Sequence, residues 1–378
     1  MIPKISIIIL NYNGWRDTIE CLESVLRSNY ENYQVIVTDN NSPNKSMDHI
    51  LAWAEGGLKV SVNEDNPLRS LSDPPVAKPV SYIYYGKEQA EKGGEPAREK
   101  QLEDSLAAGG NLPVRYPLIL IQTGSNLGFA GGNNVGIRYA LSRDFDYVFL
   151  LNNDAVVTQN ALNEIVADAL KNPQAGMVAP RVFKYRNPDV IDRLGLVIAK
   201  SGFACDRQQD DDGPLLCPSG CAALYSRAML SAIVCEGQYF DEDFFMFCED
   251  SDLGLRAQLK GFNAVLSENA VVFHKGGGSP GTYFLHRNTI WAIIKNFPLK
   301  LLLKNSLWIL MVQIGGLIKA LNSTRRDAVL KGKADGIRGI RKMWAKRYKC
   351  NGYNLPIDKR PFIRHSQANT KNESGEKL

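Results

Sequence analysis

Tyr147-Val-Phe-Leu-Leu-Asn-Asn-Asp154 is an apolar run that ends on two amides and a carboxylate. The unbroken stretch from Tyr147 to Leu151 fits a strand covered on both faces, as strands of a parallel sheet are. Asn152, Asn153 and Asp154 then lie at its carboxyl end, the edge where open α/β sheets place ligands. An acid there can hold a divalent ion that bridges phosphate oxygens. The same three residues also make an ordinary turn, because Asn and Asp side chains bond their own backbone.

The pattern recurs along the chain. Ile5 to Leu10 reads as a strand leading into Asn11-Tyr-Asn-Gly14, Gln34 to Thr38 as one leading into Asp39-Asn-Asn-Ser-Pro43, and Leu118 to Gln122 resumes the sheet. Between the first two, Arg16 to Asn29 carries Ile19, Leu22, Val25 and Leu26 on one helical face. Strands separated by a helix form a βαβ unit with both polar ends on one edge, so Asn11, Asn13 and Asp39 are expected as neighbours. Residues 62–116 break the rhythm with Pro, Gly, Glu and Lys. A structureless loop of that length is rare inside a compact domain, so the segment reads as an insertion, part ordered and part mobile, with Ser81 to Tyr85 a strand within it.

Further on, Gly124-Ser-Asn-Leu-Gly-Phe-Ala-Gly-Gly-Asn-Asn-Val-Gly136 leads into a helix through Arg138 to Leu141. Glycines at a helix start let backbone N–H groups approach a phosphate or ribose, although tight turns need glycine in any case. Thr158 is placed to cap the helix after the opening strand. Ala175 to Ile198 reads as short strands, and Cys217-Pro-Ser-Gly-Cys221 either lines a cleft or packs tightly. The aromatic run Phe244 to Phe247 buries its segment before Glu249, Asp250 and Asp252 begin a helix. Acids in a first turn complement the helix dipole; aromatic surroundings also raise a carboxylate's pKa, as a general base needs. Ala270 to Phe273 is a last strand, and His274 ends it before a glycine run, where a metal ligand or phosphate contact would sit.

The 378 residues are 44% hydrophobic, enough for a substantial core in one large domain or two smaller ones. The first apolar run is too short for a signal peptide, which fits a cytosolic protein. Seven cysteines without a Cys-x-x-Cys pair suit reduced thiols. Residues 295–378 hold 19 Lys and Arg against 5 Asp and Glu, a balance of +14, so residues 1–294 carry −9 within the chain's net +5. A basic tail on an acidic body calls for an anionic partner. Asn305 to Ile318 is uncharged over 14 residues, short of the roughly 20 that cross a bilayer, which points to an interfacial or re-entrant helix. Lys331 to Lys349 mixes Ile337, Ile340, Met343, Trp344 and Tyr348 with basic residues, as helices lying on anionic lipid do. The other reading is a helix packed on the catalytic domain or on a second copy of the chain. Nucleic acid is disfavoured because no recognition module accompanies the charge.

Together and in order, these segments resemble the family 2 glycosyltransferases, nearest the branch containing rhamnosyltransferases of bacterial polysaccharide assembly. The pieces that carry the resemblance are Ser6-Ile-Ile-Ile-Leu-Asn-Tyr-Asn-Gly14, Val37-Thr-Asp-Asn-Asn-Ser42, Asn126 to Gly136, Leu150-Leu-Asn-Asn-Asp154, Phe240 to Arg256 and His274-Lys-Gly-Gly-Gly-Ser279. The resemblance implies a GT-A fold, a Rossmann-like mixed α/β sheet flanked by helices. Residues 1–294 would be the catalytic domain, 295–349 a helical membrane-associating extension and 350–378 a disordered tail. It also implies an inverting hexosyl transfer from a nucleotide-diphosphate sugar, rhamnose among the candidates, to a glycan or a polyprenyl-diphosphate-linked acceptor. The reaction would take place on the cytoplasmic face of the cell membrane.

In that frame Asp39 holds the base, with Asn11, Asn13, Asn126, Gly128, Asn152 and Arg256 also at the donor. Asp154 and His274 hold Mg2+ or Mn2+, and the pair Glu249 and Asp250 supplies the catalytic base, Asp250 being the better match. This sequence departs from the family in having Asn-Asn-Asp where two acids are usual, and in the length of its 62–116 insertion. A nucleotidyltransferase would use strand-end acids in the same way, and a non-catalytic scaffold would keep the fold. The joint presence of Asp154, Asp250 and His274 disfavours the scaffold.

Overall fold

The structure is a computed structural model that describes residues 2–108, 115–209, 212–276, 281–321 and 323–351. Strand β1 (Ile5–Asn11), helix α1 (Trp15–Val25) and strand β2 (Tyr33–Asp39) form the expected parallel unit, with Asn11 directly opposite Asp39. Helix α2 (Ser46–Ala54) follows. The apolar residues of β1 alternate between the faces of the sheet: Ile5, Ile7 and Ile9 join one core layer and Ile8 the other.

The insertion is part of the sheet. It folds as β3 (Tyr82–Gly86), α3 (Lys87–Glu91) and α4 (Pro96–Ala108), and β3 adds an edge strand parallel to β4 (Leu118–Gln122). Helix α5 (Gly128–Ser142) follows β4. Glu99 of α4 is fully buried, and its carboxylate accepts hydrogen bonds from the Tyr85 and Tyr139 hydroxyls and from Arg143, all at 2.8 Å. A buried carboxylate with three donors ties the inserted helix to α5.

Strands β5 (Tyr147–Asn152) and β6 (Ala155–Val157) flank the Asn153-Asp154 turn, and α6 (Ala161–Lys171) comes next. Asn160, not Thr158, occupies the N-cap of α6; the Thr158 hydroxyl instead donates to the Val271 carbonyl at 3.4 Å. The less regular region resolves into a long β7 (Ala175–Lys184), β8 (Asn187–Arg193), β9 (Leu196–Ile198) and β10 (Ala204–Asp206). Then come β11 (Ala222–Ser226), α7 (Arg227–Ile233), α8 (Glu249–Leu259) and β12 (Asn263–His274). The main sheet runs β3-β4-β2-β1-β5-β11-β7-β12-β6, with β8 paired to β7. Strands β1 to β5 are parallel and β11 lies antiparallel to β5, so the sheet is mixed.

Four helices follow among the described residues: α9 (Thr282–Asn296), α10 (Leu299–Leu321), α11 (Arg326–Arg338) and α12 (Ile340–Asn351). The uncharged stretch 305–318 is the middle of α10, whose 23 residues are long and apolar enough to cross a membrane by length and composition. This removes the length argument against a span. Leu303, Leu307 and Ile318 of α10 are more than 60% exposed.

The basic segment beyond α10 is partly neutralised within the protein. Lys342 and Lys346 of α12 reach Asp243 at 2.6 Å, Lys346 also meets Asp241 at 2.5 Å, and Lys349 meets Glu236 at 2.7 Å. The expectation of reduced thiols fails for one pair, because a Cys235–Cys350 disulfide joins α12 to the loop after α7. Residues 352–378, on which most of the expected disordered tail falls, lie outside the described residues.

Candidate active site

The polar strand ends gather where the βαβ reading puts them. Asn11 is fully buried and links the elements around it. Its Nδ2 donates to Asp39 at 2.5 Å and to Ser42 at 3.2 Å, while its Oδ1 accepts from the Gly14 N–H, the Thr18 hydroxyl and, at 3.4 Å, Asn153. Asp39 is 1% exposed and also accepts from the Ser42 hydroxyl and N–H and from Gln122. Asn13 is exposed, with a left-handed φ of 60°, and its N–H donates to Ser42. Asn11 and Asp39 therefore form the buried floor of this edge and Asn13 its rim.

The glycine-rich stretch packs rather than hanging open. Gly128 has φ +69°, and a Cβ there would stand 2.4 Å from the Phe245 carbonyl oxygen. Asn126 is exposed and accepts from the Gly128 N–H at 3.0 Å, and the Ala130 N–H donates to the Phe245 carbonyl at 3.0 Å. The start of α5 is thus held against the segment that leads to the second acidic cluster.

At the end of β5, the Asn152 N–H donates to the Cys221 carbonyl at 2.8 Å, and the Asn153 side chain turns back to Thr18 and Gly14. Asp154 faces His274, Oδ1 to Nε2, at 3.3 Å, as the pairing of β6 with β12 requires. The other imidazole nitrogen, Nδ1, sits 3.1 Å from Asp192 of β8, a partner that the sequence did not reveal. Burial works against a charged imidazole here, but the two carboxylates outweigh it and raise the His274 pKa to about 10. Asp192 is driven down to about 2, because His274 and Arg193 outweigh its burial.

A carboxylate oxygen and an imidazole nitrogen side by side, with the far nitrogen fixed by a second carboxylate, could serve a divalent ion once the imidazole gives up its proton. Among the described residues no group of three His, Cys, Asp or Glu forms a complete cage.

Asp250 lies in the first turn of α8. The Gly220 N–H donates to its Oδ2 at 3.0 Å and the Ser251 N–H to its Oδ1 at 2.7 Å. Gly220 adjoins Cys221, whose carbonyl holds Asn152, so this acid sits beside the end of β5. The Cys217–Cys221 stretch thus packs around the acid that follows it. Burial raises the Asp250 pKa, opposed by those two N–H groups. Glu249 is 5% exposed, its Oε2 has no partner, and burial followed by the charge of Asp250 lifts its pKa far above the carboxylate range.

The backbone ahead of these acids is strained. Phe245, Phe247 and Cys248 all have φ near +65°, a region that costs non-glycine residues on the order of 1–3 kcal/mol each. Asn288 of α9, fully buried, holds the segment by donating to the carbonyls of Phe244, Met246 and Phe247 at 2.7–2.9 Å. No sequence signal marked Asn288, which lies in the middle of a helix.

Arg256 is not brought to the strand ends. It is 2% exposed, and its guanidinium donates to Asp252 and to the carbonyls of Ile233 and Tyr239. Lys295 completes that cluster, 2.8 Å from both Asp241 and Asp252.

A mixed sheet flanked by helices thus carries an Asp–His pair where β6 meets β12 and a partly buried acid at the start of α8, bonded to the segment that holds the end of β5. The chain belongs to the glycosyltransferase family 2: the family described as "Glycosyltransferase like family 2" matches residues 100–296 and "Glycosyl transferase family 2" matches residues 6–67. Among relatives, the low-salt glycan biosynthesis hexosyltransferase Agl10 of Haloferax volcanii is 25% identical over 38% of this chain and 47% of its own length. An uncharacterized Mycobacterium tuberculosis protein is 26% identical over 45% of this chain and 62% of its own length. The matches thus span less than two thirds of either relative.

Among solved structures, S. aureus TarS superposes with a TM-score of 0.50 at 14% identity, covering 92% of this chain and 55% of that one. A mannosyltransferase from Pyrobaculum calidifontis, in complex with GDP-Man and Mn2+, gives 0.48 at 16% identity over 93% and 86%. The likeness to TarS shows the GT-A fold alone.

Proposed function

We propose that this glycosyltransferase moves a sugar with inversion from a nucleoside-diphosphate donor to a hydroxyl of a glycan or polyprenyl-diphosphate-linked acceptor. Rhamnose is one candidate sugar, from the resemblance of the ordered motifs to the branch containing rhamnosyltransferases. The observation that carries this reading is the placement of two unlike groups around the end of β5. The Asp154–His274 pair is suited to a diphosphate-bound cation, and Asp250 is held beside that end by the Gly220 N–H. Asp154 and His274 would hold Mg2+ or Mn2+, which when bound supplies positive charge against the leaving diphosphate.

Asn13 and Asn126, exposed at the rim, would contact the donor, with Asn11 and Asp39 fixing the floor beneath it and Asn152 and Gly128 shaping its wall. Asp250 would accept the acceptor's hydroxyl proton, and attack from that side displaces the diphosphate in line and inverts the anomeric carbon. Arg256 is better read as a structural residue of the α8 cluster. The exposed apolar face of α10 is proposed to rest in a membrane surface, which suits an acceptor carried on lipid.

Thermal shift of the full chain against a panel of nucleotide sugars with Mn2+ tests the reading, since a ligand that binds only the folded state raises Tm. A shift from a nucleotide sugar followed by release of a nucleoside diphosphate is the expected result. Release of pyrophosphate from a nucleoside triphosphate would instead identify a nucleotidyltransferase.

A further inference from the structure

Lys333 of α11 is 6% exposed, and among the described residues its Nζ has one hydrogen-bond partner, the side-chain oxygen of Gln313 on α10. Asp335, two residues along, is engaged elsewhere: it accepts from the Tyr283 hydroxyl at 2.9 Å and from Arg338 at 2.7 Å. A buried ammonium without a counter-charge is costly. Burial alone pulls the Lys333 pKa down to about 8. His286 of α9 adjoins it, and burial followed by the charge of Lys333 lowers the imidazole pKa to about 4.

Above these groups α10 is notched. A Cβ on Gly316 would stand 3.6 Å from Lys333 Nζ and 3.8 Å from His286 Cε1, and one on Gly315 would have no heavy atom within 4 Å. Glycine inside a helix costs about 1 kcal/mol relative to alanine, and here the missing side chain at Gly316 leaves room beside the amine while Gly315 borders open space. Ile314 and Ile318 on either side of the pair are 45% and 63% exposed. On its inner side the cluster borders α9, where Phe284 stacks on Phe245 at 5.3 Å and Arg287 donates to the carbonyls of Asp243 and Phe244. The notch therefore backs onto the helix that grips the strained segment ahead of Asp250.

We propose that Lys333, His286 and Gln313, reached through the Gly315–Gly316 notch, form a binding site for the phosphate of a membrane lipid whose hydrocarbon chains lie along α10. A lipid-linked diphosphate acceptor has this chemistry. The inference rests on the membrane attachment proposed above. A phosphate supplies the charge that Lys333 lacks within the protein, and the apolar face around the notch accepts the chains.

The test uses the full chain with vesicles of phosphatidylcholine alone or with one tenth phosphatidic acid, whose terminal phosphate is exposed. The wild type should prefer the phosphatidic acid vesicles, and Lys333→Met should weaken that binding roughly tenfold, as loss of a charge-assisted contact does. Lys331→Met, which removes an exposed charge from the same helix, should change it less than about twofold. The Tm of Lys333→Met should be held or raised, because an uncompensated charge leaves the interior. A clear fall in Tm would make the lysine structural and overturn the site. A wild type that binds neither vesicle would remove the membrane attachment and the site together. Binding of both vesicles with Lys333→Met unchanged would remove the site alone. Inorganic pyrophosphate that competes fully with the vesicles would overturn the assignment to a lipid.

Discussion

The main-chain N–H of Gly220 meets Oδ2 of Asp250 at 3.0 Å, whereas Oε2 of the adjacent Glu249 is buried without a partner. Two neighbouring carboxyls are thereby set apart: hydrogen bonds favour ionised Asp250, whereas burial and the charge of Asp250 disfavour ionised Glu249. Asp250→Asn should lower turnover on the order of 100-fold or more while leaving donor affinity nearly intact. Single-turnover assays with calorimetry would check this. Normal turnover by Asp250→Asn together with a dead Glu249→Gln would move the base to Glu249.

The acid limb of the pH–rate profile should lie above the ordinary carboxylate range. The Asp250 pKa is raised, chiefly by burial, and a base is lost as pH falls through it. In Asp250→Asn that limb should vanish from the residual rate.

Glu249 should also affect stability. Its folded-state pKa is raised, so its contribution is present at acid pH and is lost as pH rises through that pKa. Glu249→Gln cannot ionise and should therefore melt higher than the wild type at alkaline pH, by roughly 2 °C or more, with the difference closing at acid pH. A gain independent of pH would show that ionisation is not the cause.

Lys295 is 1% exposed between Asp241 and Asp252, and both acids are held below the usual carboxylate range: burial opposes this, but Lys295, joined by Lys346 at Asp241 and by Arg256 at Asp252, outweighs it. The stability they provide is present above the ordinary carboxylate pKa and is lost as pH falls through the lowered values. Lys295→Met leaves these carboxylates facing each other and should cost about 3–5 kcal/mol in denaturant unfolding at neutral pH. That penalty should shrink in acid. A variant as stable as the wild type at neutral pH would show that the cluster is not sustained by this lysine.

For the cation, calorimetric titration of a nucleoside diphosphate with and without Mn2+ is the direct measurement. Asp154→Ala should remove the Mn2+-dependent part of the binding, and a chelator should abolish transfer. Full transfer in excess chelator would end the claim. For the membrane, replacing Leu303, Leu307 and Ile318 with Ser should abolish pelleting with anionic vesicles in high salt, because screening weakens charge attraction but not apolar insertion.

The sheet was legible because its strands carry their own signal: unbroken apolar runs ending in Asn or Asp, with a 3.6-residue period between them. Asp154 and His274 could be paired in advance because each ends a strand. Asp192 and Gly220 could not, since their roles depend on which strands lie side by side, and Asn288 serves through the backbone of a distant loop. The insertion was read as part ordered with a strand at Ser81 to Tyr85, which β3 matches, but its helices and their anchor were not legible. Its Pro and Gly content resembles a loop, yet Glu99 anchors it through Tyr85, Tyr139 and Arg143, none of which advertises the contact. Arg256 was drawn to the donor by its motif, but its fourfold helical spacing from Asp252 makes it an interior ion pair. The basic tail also had acids of its own chain within reach.

The bond between Cys235 and Cys350 closes 115 residues of chain into a covalent ring. Within it lie the helix of Asp250, the strand of His274 and the whole of the exposed apolar helix. By chain entropy alone a ring of that size disfavours the unfolded state by about 5 kcal/mol. Where thiols are kept reduced the ring opens, and α12 is then held by its lysines, by Arg347 on the Ile294 carbonyl and by Met343, which is buried against Phe244 and Trp291. The redox state of the surroundings thus decides whether the last helix is tied to the rest of the protein by a covalent bond as well as by those contacts.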